Sequence, residues 1–484
     1  MDEINMILNV WRKSVLTTPA LGEVCRSLKS VSFVLCLLLF STTYGQDAPH
    51  KQHAKEARQY ELAGEHKKAL ASYQKALELS RSVNEKQAAA IAYFKGSLHL
   101  SLQQYAEAET DLKESVALRE KAFNPNHPAV AVSLIGLAGV YYALGDYEQS
   151  KPLYERAVKI NETAFTNPDD QYRITVSLNS LAEQHRTLAE FDKAEPLFKR
   201  ALKIDQDKFG ENSTKVSIRL NNLAELYRQS GDYAQAKELL EKALKIEQDA
   251  LAKQETAPEN VGIRLNNTGR LYQTLGAYPK ADEYYEQALD IWAKTPGKSD
   301  IKYAIGLNNQ AWIAYATGNY SKALKLYQEA SGIVEKIHGD SHPELARHLN
   351  NLGLLYFARQ KYDDAEKAWL RGLKILETVY DPQHPEIGTI LHNLAKLYRA
   401  QQNYPKAEET LQRALMIAQA SDQPELLWAV QDNFSQLLLA QQNSTAAVIY
   451  GKQAVNTLQG LRADIASMDK QLQKAFLEDK SDVY

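Results

Sequence analysis

Residues 347–376, RHLNNLGLLYFARQKYDDAEKAWLRGLKIL, decide the fold. In the first half, Leu349, Leu352, Gly353 and Tyr356 recur at the three-and-four spacing of one helical face. In the second half, Tyr362, Ala365, Trp369 and Gly372 fall at offsets 0, 3, 7 and 10, a second helical face that alternates bulky and small side chains. Small residues on an apolar stripe let another helix approach closely, so the stretch predicts two helices packed as a hairpin.

The unit repeats along the chain. An aromatic or His opens the second helix at His66, Tyr105, Tyr147, Phe191, Tyr233, Tyr278, Tyr320, Tyr362 and Tyr404, and the last seven intervals are 42, 44, 42, 45, 42, 42 and 42 residues. Three residues on stands Ala or Ser, and ten on stands Ala, Ser or Gly. Between them, at offset seven, lies a bulky residue: Tyr73, Leu112, Tyr154, Phe198, Leu240, Tyr285, Tyr327, Trp369 and Leu411. A tenth unit near Ser444 keeps Ala447 and Ala454 but has Gly451 at the bulky position. Gly145, Gly231, Gly276 and Gly318 are placed to close first helices with left-handed backbone. In the inter-repeat loops His127-Pro128, His342-Pro343 and His384-Pro385 put proline at the first helical position, where its missing N–H costs nothing.

Paired helices with this small–bulky pattern resemble the tetratricopeptide repeat. The 42-residue period, LNNLA at 220–224, AEPLFKRAL at 194–202 and the His-Pro loops resemble its kinesin-light-chain subtype across residues 51–458. The resemblance implies an all-α, right-handed α-solenoid of about ten helix–turn–helix repeats. Each hairpin has too little apolar surface to fold alone and is stabilised by its neighbours. The expected division is a leader at 1–45, the array at 46–458 and a capping or connector helix at 459–484.

Composition narrows the function. With 57 Lys and Arg against 60 Asp and Glu, the net charge is −3, which gives no reason to seek a polyanion, so no nucleic-acid partner is expected. Both cysteines, Cys25 and Cys36, precede Gln46, which excludes disulfides, thiolate zinc sites and cysteine catalysis beyond it. Phosphate loops, dinucleotide glycines, HExxH, EF-hand loops and the Gly-x-Ser-x-Gly elbow are all missing. The recurrent histidines lie one repeat apart without a ligand set. The expectation is therefore no catalytic residue, cofactor, metal or small-molecule substrate, and another protein as the partner.

Export is expected from Val31–Phe40, VSFVLCLLLF, preceded by Arg26 and Lys29 and followed by small and polar residues, with cleavage near Gly45/Gln46 and a periplasmic or extracellular destination. An uncleaved anchor or a buried helix is the alternative reading.

Numbering each first helix so that Leu, Leu, Gly or Ala, and Tyr hold positions 4, 7, 8 and 11 puts positions 2, 5, 6, 9, 12 and 13 on the opposite face, the candidate concave wall. Position 5 is Asn179, Asn221, Asn266, Asn308 and Asn350; position 6 is Asn222, Asn267, Asn309, Asn351, Asn393 and Asn433. Asparagine is a poor helix former, so the ladder calls for another role. An amide that donates and accepts can grip a peptide backbone, or one Asn of each pair can bond the adjacent repeat and fix its stagger. Positions 9 and 12 read Glu183/Arg186, Glu225/Arg228, Arg270/Gln273, Trp312/Tyr315, Leu354/Phe357 and Lys396/Arg399. The first two are also ordinary intrahelical ion pairs. Trp312, Tyr315, Leu354 and Phe357 are expected to be exposed as an anchor patch, with packing against a neighbouring repeat as the alternative.

Leu461–Tyr484 carries Leu472, Phe476 and Leu477 on one helical side and resembles the connector that precedes a CHAT domain, a caspase-like peptidase module. Two functions follow: an exported scaffold binding an extended or helical partner segment in the groove, or the regulatory half of a split or truncated CHAT-type peptidase system, with a CHAT-type domain as partner.

Overall fold

The computed structural model describes residues 48–188, 190–298, 300–420 and 424–462. The export segment, both cysteines and residues 463–484 of the connector lie outside the described residues.

Among the described residues, twenty α-helices follow one another as ten hairpins. They are α1 (Pro49–Leu62) with α2 (His66–Arg81), α3 (Glu85–Ser101) with α4 (Tyr105–Ala122), and α5 (Pro128–Leu144) with α6 (Tyr147–Ala164). A 3-10 turn at Gln171–Ile174 leads to α7 (Thr175–Thr187) and α8 (Phe191–Phe209), then α9 (Thr214–Gln229) with α10 (Tyr233–Ala252), and α11 (Pro258–Thr274) with α12 (Tyr278–Trp292). After a kink at Ala293–Gly297, where Thr295 is extended, come α13 (Ile301–Ala316) with α14 (Tyr320–His338) and α15 (Pro343–Ala358) with α16 (Tyr362–Val379). The last are α17 (Pro385–Ala400) with α18 (Tyr404–Ala420), and α19 (Pro424–Ala440) with α20 (Ser444–Arg462). Every anchor residue read from the sequence opens a second helix. Among the described residues there is no strand, and no helix is long and apolar enough to cross a membrane. The helices gather into two compact units, one of Met1–Gln184 with Pro196–Gly210 and one of His185–Glu195 with Glu211–Tyr484.

The small–bulky stripe is the core of each hairpin. Tyr73, Leu112, Tyr154, Phe198, Tyr285, Tyr327, Trp369 and Leu411 are almost wholly buried, as are the alanines on either side of them. Leu112, Tyr285 and Trp369 sit over position 8 of their own first helices, which is Gly96, Gly269 and Gly353. A Cβ added at Gly269 would stand 2.7 Å from the Tyr285 ring, and one at Gly353 would overlap the Trp369 indole. Glycine is required there by close approach.

Closure of the first helices matches the expectation: Gly145, Gly231, Gly276 and Gly318 have φ of 79°, 88°, 68° and 79°. Elsewhere Gln103, Gln360, Gln402 and Gln442 take the same position with φ near 60°. The loop histidines have a role that the sequence did not disclose. Nδ1 of His127, His342 and His384 accepts the backbone N–H two residues on (3.1, 3.1 and 3.3 Å), capping α5, α15 and α17. Each ring also stacks on the residue four before it, Phe123, His338 or Tyr380, at 3.9–4.2 Å. A cap of this kind needs neutral imidazole. Burial accordingly pushes His342 down to about 3 and His384 to about 4.

Repeats are stitched to one another by bonds that recur with the period. On second helices Arg156, Arg371 and Arg413 reach Glu120, Glu335 and Glu377 of the preceding second helix at 2.6–2.8 Å, and Arg200 pairs likewise with Glu162. Position-11 tyrosines donate to a glutamate in the preceding second helix: Tyr141 to Glu109 (2.8 Å), Tyr227 to Glu195 (2.7 Å) and Tyr398 to Glu366 (3.0 Å).

Candidate functional site

Successive first helices approach one another directly: α3 and α5 in the first unit, and α9, α11, α13, α15, α17 and α19 in order in the second. Successive second helices are not brought as close. First helices therefore form the inner wall of each unit, where the sequence placed the candidate residues.

The asparagines on that wall bond to each other across the repeats. Nδ2 of position 6 donates to Oδ1 of position 5 in the preceding unit: Asn267 to Asn221 (2.8 Å), Asn309 to Asn266 (2.8 Å), Asn351 to Asn308 (3.0 Å) and Asn393 to Asn350 (2.8 Å). In the final unit, where position 5 of α17 is His392, Asn433 donates to the His392 carbonyl (3.2 Å). Asn179, Asn221, Asn222, Asn266 and Asn393 are buried, and Asn267, Asn308, Asn309, Asn350 and Asn351 are half-buried. This geometry gives the ladder the stagger-fixing role. Register between neighbours is set by a side-chain bond that a one-turn slip would break.

At the next positions, Glu225 gathers three guanidiniums. Arg228 grips it with two bonds (2.7 and 2.9 Å), Arg270 reaches it at 3.2 Å, and Arg186 lies at 3.9 Å. Burial opposes charge on Glu225, but Arg228, Arg270 and Arg186 outweigh it and hold the carboxyl well below the usual carboxylate range. Arg228 also donates to Thr274 (3.2 Å). The intrahelical pair expected at Glu225/Arg228 is present, and Arg270 and Arg186 of the neighbouring repeats also reach the same carboxylate.

The aromatic patch differs from expectation. Trp312, Tyr315, Leu354 and Phe357 are half-buried, not exposed. Trp312 meets the Tyr278 ring edge-on at 5.6 Å, and both Trp312 and Tyr315 lean on the core formed by Ala311, Ala323, Tyr327 and Leu355. Tyr315 and Phe357 lie against Tyr320 and Tyr362, the anchors of their own second helices, at 5.9 and 5.7 Å. The reason is local: position 12 ends the first helix next to the turn that starts the second, so its ring folds onto the anchor.

One unit on, Lys396 and Arg399 occupy the same positions on α17. The Asn393–Asn350 bond ties α17 to α15, which places them beside Leu354 and Phe357. Neither side chain forms a salt bridge among the described residues, and Arg399 Nε is buried without a hydrogen-bond partner. Burial, reinforced by Arg399, pushes the Lys396 ammonium down; burial also lowers Arg399. His392 is pushed down to about 3 by burial, with Lys396 and Arg399 adding to it. The carboxylate they feel is Asp432, itself raised by burial and accepting a bond from Gln436 (2.6 Å). No group of three or more His, Cys, Asp or Glu side chains able to hold a metal occurs among the described residues.

The model of the tetratricopeptide repeat matches six stretches, residues 87–163, 173–249, 263–336, 313–377, 344–420 and 387–460, which together make up more than half of the chain. The chain belongs to that family. None of the curated proteins matches it. Among solved structures, it is similar to a Rap protein complexed with Competence and Sporulation Factor (14% identity, TM-score 0.53, covering 78% of this chain and 99% of that one), a likeness of fold alone. It is also similar to BtubC (BKLC) from P. vanneervenii (26%, TM-score 0.39, 49% and 91%) and to kinesin-light-chain TPR-like repeats from Podosopora anserina (24%, TM-score 0.35, 43% and 98%).

Proposed function

We propose that the chain is an exported interaction scaffold whose inner wall grips a segment of another protein, one that sets an apolar side chain beside acidic ones. The observation that carries this reading is the pair Lys396 and Arg399, two like charges drawn partly out of water that form no salt bridge among the described residues. Holding them so costs free energy, which an incoming carboxylate offsets by completing the pair. Arg228 and Arg270, which share Glu225, add a second set of guanidiniums on the wall. Between the two lie the half-buried Trp312, Tyr315, Leu354 and Phe357, which supply a desolvated seat for an anchor side chain. Because the amides of the asparagine ladder bond to one another, charge and apolar surface carry recognition. The Rap protein to which this chain is similar in fold is complexed with Competence and Sporulation Factor, which supports a binding role.

Binding and not catalysis is the activity assigned. The export part of the proposal rests on VSFVLCLLLF with Arg26 and Lys29. Immobilised protein is to be incubated with the envelope fraction of the native host, beside a variant carrying Lys396→Glu and Arg399→Glu. The expected result is a specific partner lost from the variant while helicity is kept; equal capture by both proteins would remove the basis for the assignment. Amino-terminal sequencing of protein from the native host is expected to begin near Gln46, and a cytoplasmic chain beginning at Met1 would refute export.

A further inference from the structure

Within the array, a tyrosine, a lysine and an arginine of one hairpin receive two glutamates from the second helix before it. At the step from α16 to α17 and α18, Tyr398 donates to Glu366 (3.0 Å), Lys406 donates to the same carboxylate (3.1 Å), and Arg413 pairs with Glu377 (2.6 Å). The Lys406 ammonium also lies 4.0 Å from the centre of the Tyr398 ring. At the step from α4 to α5 and α6 the same acidic places are used: Tyr141 donates to Glu109 (2.8 Å) and Arg156 to Glu120 (2.6 Å). Glu109 and Glu120, like Glu366 and Glu377, stand eleven residues apart. On an α-helix that interval is about 16 Å and only about 20° past three full turns, so both carboxylates leave one face.

The first described hairpin carries the receiving set without the glutamates that fill it. Tyr60, Lys68 and Lys75 are separated by eight and seven residues, as are Tyr398, Lys406 and Arg413. The likeness extends to geometry, since the Lys68 ammonium lies over the Tyr60 ring at 5.4 Å. Lys68 and Lys75 are exposed. Lys68 pairs with Glu65, three residues before it, whereas among the described residues Lys75 forms no ion pair and the Tyr60 hydroxyl no hydrogen bond. A terminal repeat needs a polar outer face for solubility, but solubility asks for no particular spacing. Here the spacing of a joint between repeats is kept. A second copy stacked end to end does not match it, because α20 bears Val448 and Gln459 four and fifteen residues after Ser444, the places of Glu366 and Glu377 on α16.

We propose that this end of the array docks an acidic α-helix of another protein, which sets one carboxylate against Tyr60 and Lys68 and a second, eleven residues on, against Lys75. The proposal does not depend on the reading of the inner wall.

The test uses the full chain and a fluorescent alanine-based helical peptide of eighteen residues with glutamate at its positions 4 and 15, beside a control peptide with glutamate at 4 and 12. At low salt the first is expected to bind at least about tenfold more tightly, because the control turns its second carboxylate about 80° away. Lys68→Glu with Lys75→Glu, both on exposed side chains, should remove that difference while helix ellipticity is kept. A peptide with lysine at 4 and 15 should then bind the variant in place of the first. Equal affinity for the two acidic peptides, no binding of either, or binding that survives the charge reversal refutes the proposal. A dimer seen in sedimentation and dissolved by the same variant would assign the face to a second copy and overturn it as well.

Discussion

The asparagine ladder gives a prediction that separates architecture from recognition. Asn393 is buried and donates to Asn350 Oδ1 at 2.8 Å, across the step from α17 to α15. Asn393→Ala removes a bond worth about 1 kcal/mol net and leaves a half-buried acceptor less well satisfied, so a loss of about 2 kcal/mol is expected. Asn350→Ala removes the same bond from the other side. The double variant should therefore be less damaging than the sum of the two by about 1 kcal/mol. Urea unfolding followed by helix ellipticity, with the slope compared between variants, reads the energies. Hydrogen exchange locates them: in an array stabilised by neighbours, protection should fall around α15–α17 and remain in α1–α2. Strict additivity, or an unchanged unfolding curve accompanied by lost partner binding, would show that these amides serve a ligand and not the stagger.

Two further predictions address the core and the loops. Gly353→Ala pushes a methyl group into the Trp369 indole and should cost about 1–3 kcal/mol, whereas Gly332→Ala, exposed on α14 with nothing within 4 Å of the new carbon, should stabilise by about 0.5–1 kcal/mol; thermal unfolding of the pair checks the sign of each. His342, His384 and His392 are held neutral in the folded chain, at about 3, 4 and 3 against the ordinary 6.5. A depressed imidazole makes the unfolded chain bind more protons, so their contribution is complete above pH 6.5 and falls as pH drops toward 4, by up to about 1.4 kcal/mol per pH unit for each. Urea midpoints at pH 7, 6 and 5 should decline, His384→Asn should lessen the slope while keeping a cap, and midpoints flat across that range would contradict the neutral-cap reading.

The hairpins were legible from the sequence because their cause is local: Ala365, Trp369 and Gly372 on one helix, and Gly353 opposite, leave one way to pack. Relations between repeats were less so. A helical wheel places Asn350 and Asn393 on the same wall but does not show that they meet, since the bond joins residues 43 apart; the recurrence of Asn-Asn at that interval was the available signal. The same holds for Tyr398 with Glu366 and Arg413 with Glu377. The wheel overstates the exposure of Tyr315 and Phe357 because it ignores the turn that folds position 12 onto the next anchor, and that of Trp312, at position 9, because it does not show the Tyr278 ring of the preceding second helix. His342 and His384 were visible only as members of a loop, since histidine is an uncommon cap and its stacking partner lies four residues back, beyond any helix-start pattern.

The central claim is that the inner wall recognises an apolar side chain beside acidic ones, and selection from a random peptide library on the immobilised protein tests it most directly. The account predicts enrichment of peptides that place an aromatic or large aliphatic residue next to Asp or Glu, with binding lost both in Phe357→Ala and in the double variant Lys396→Glu with Arg399→Glu. Enrichment of basic or featureless peptides, or binding indifferent to those substitutions, would contradict it.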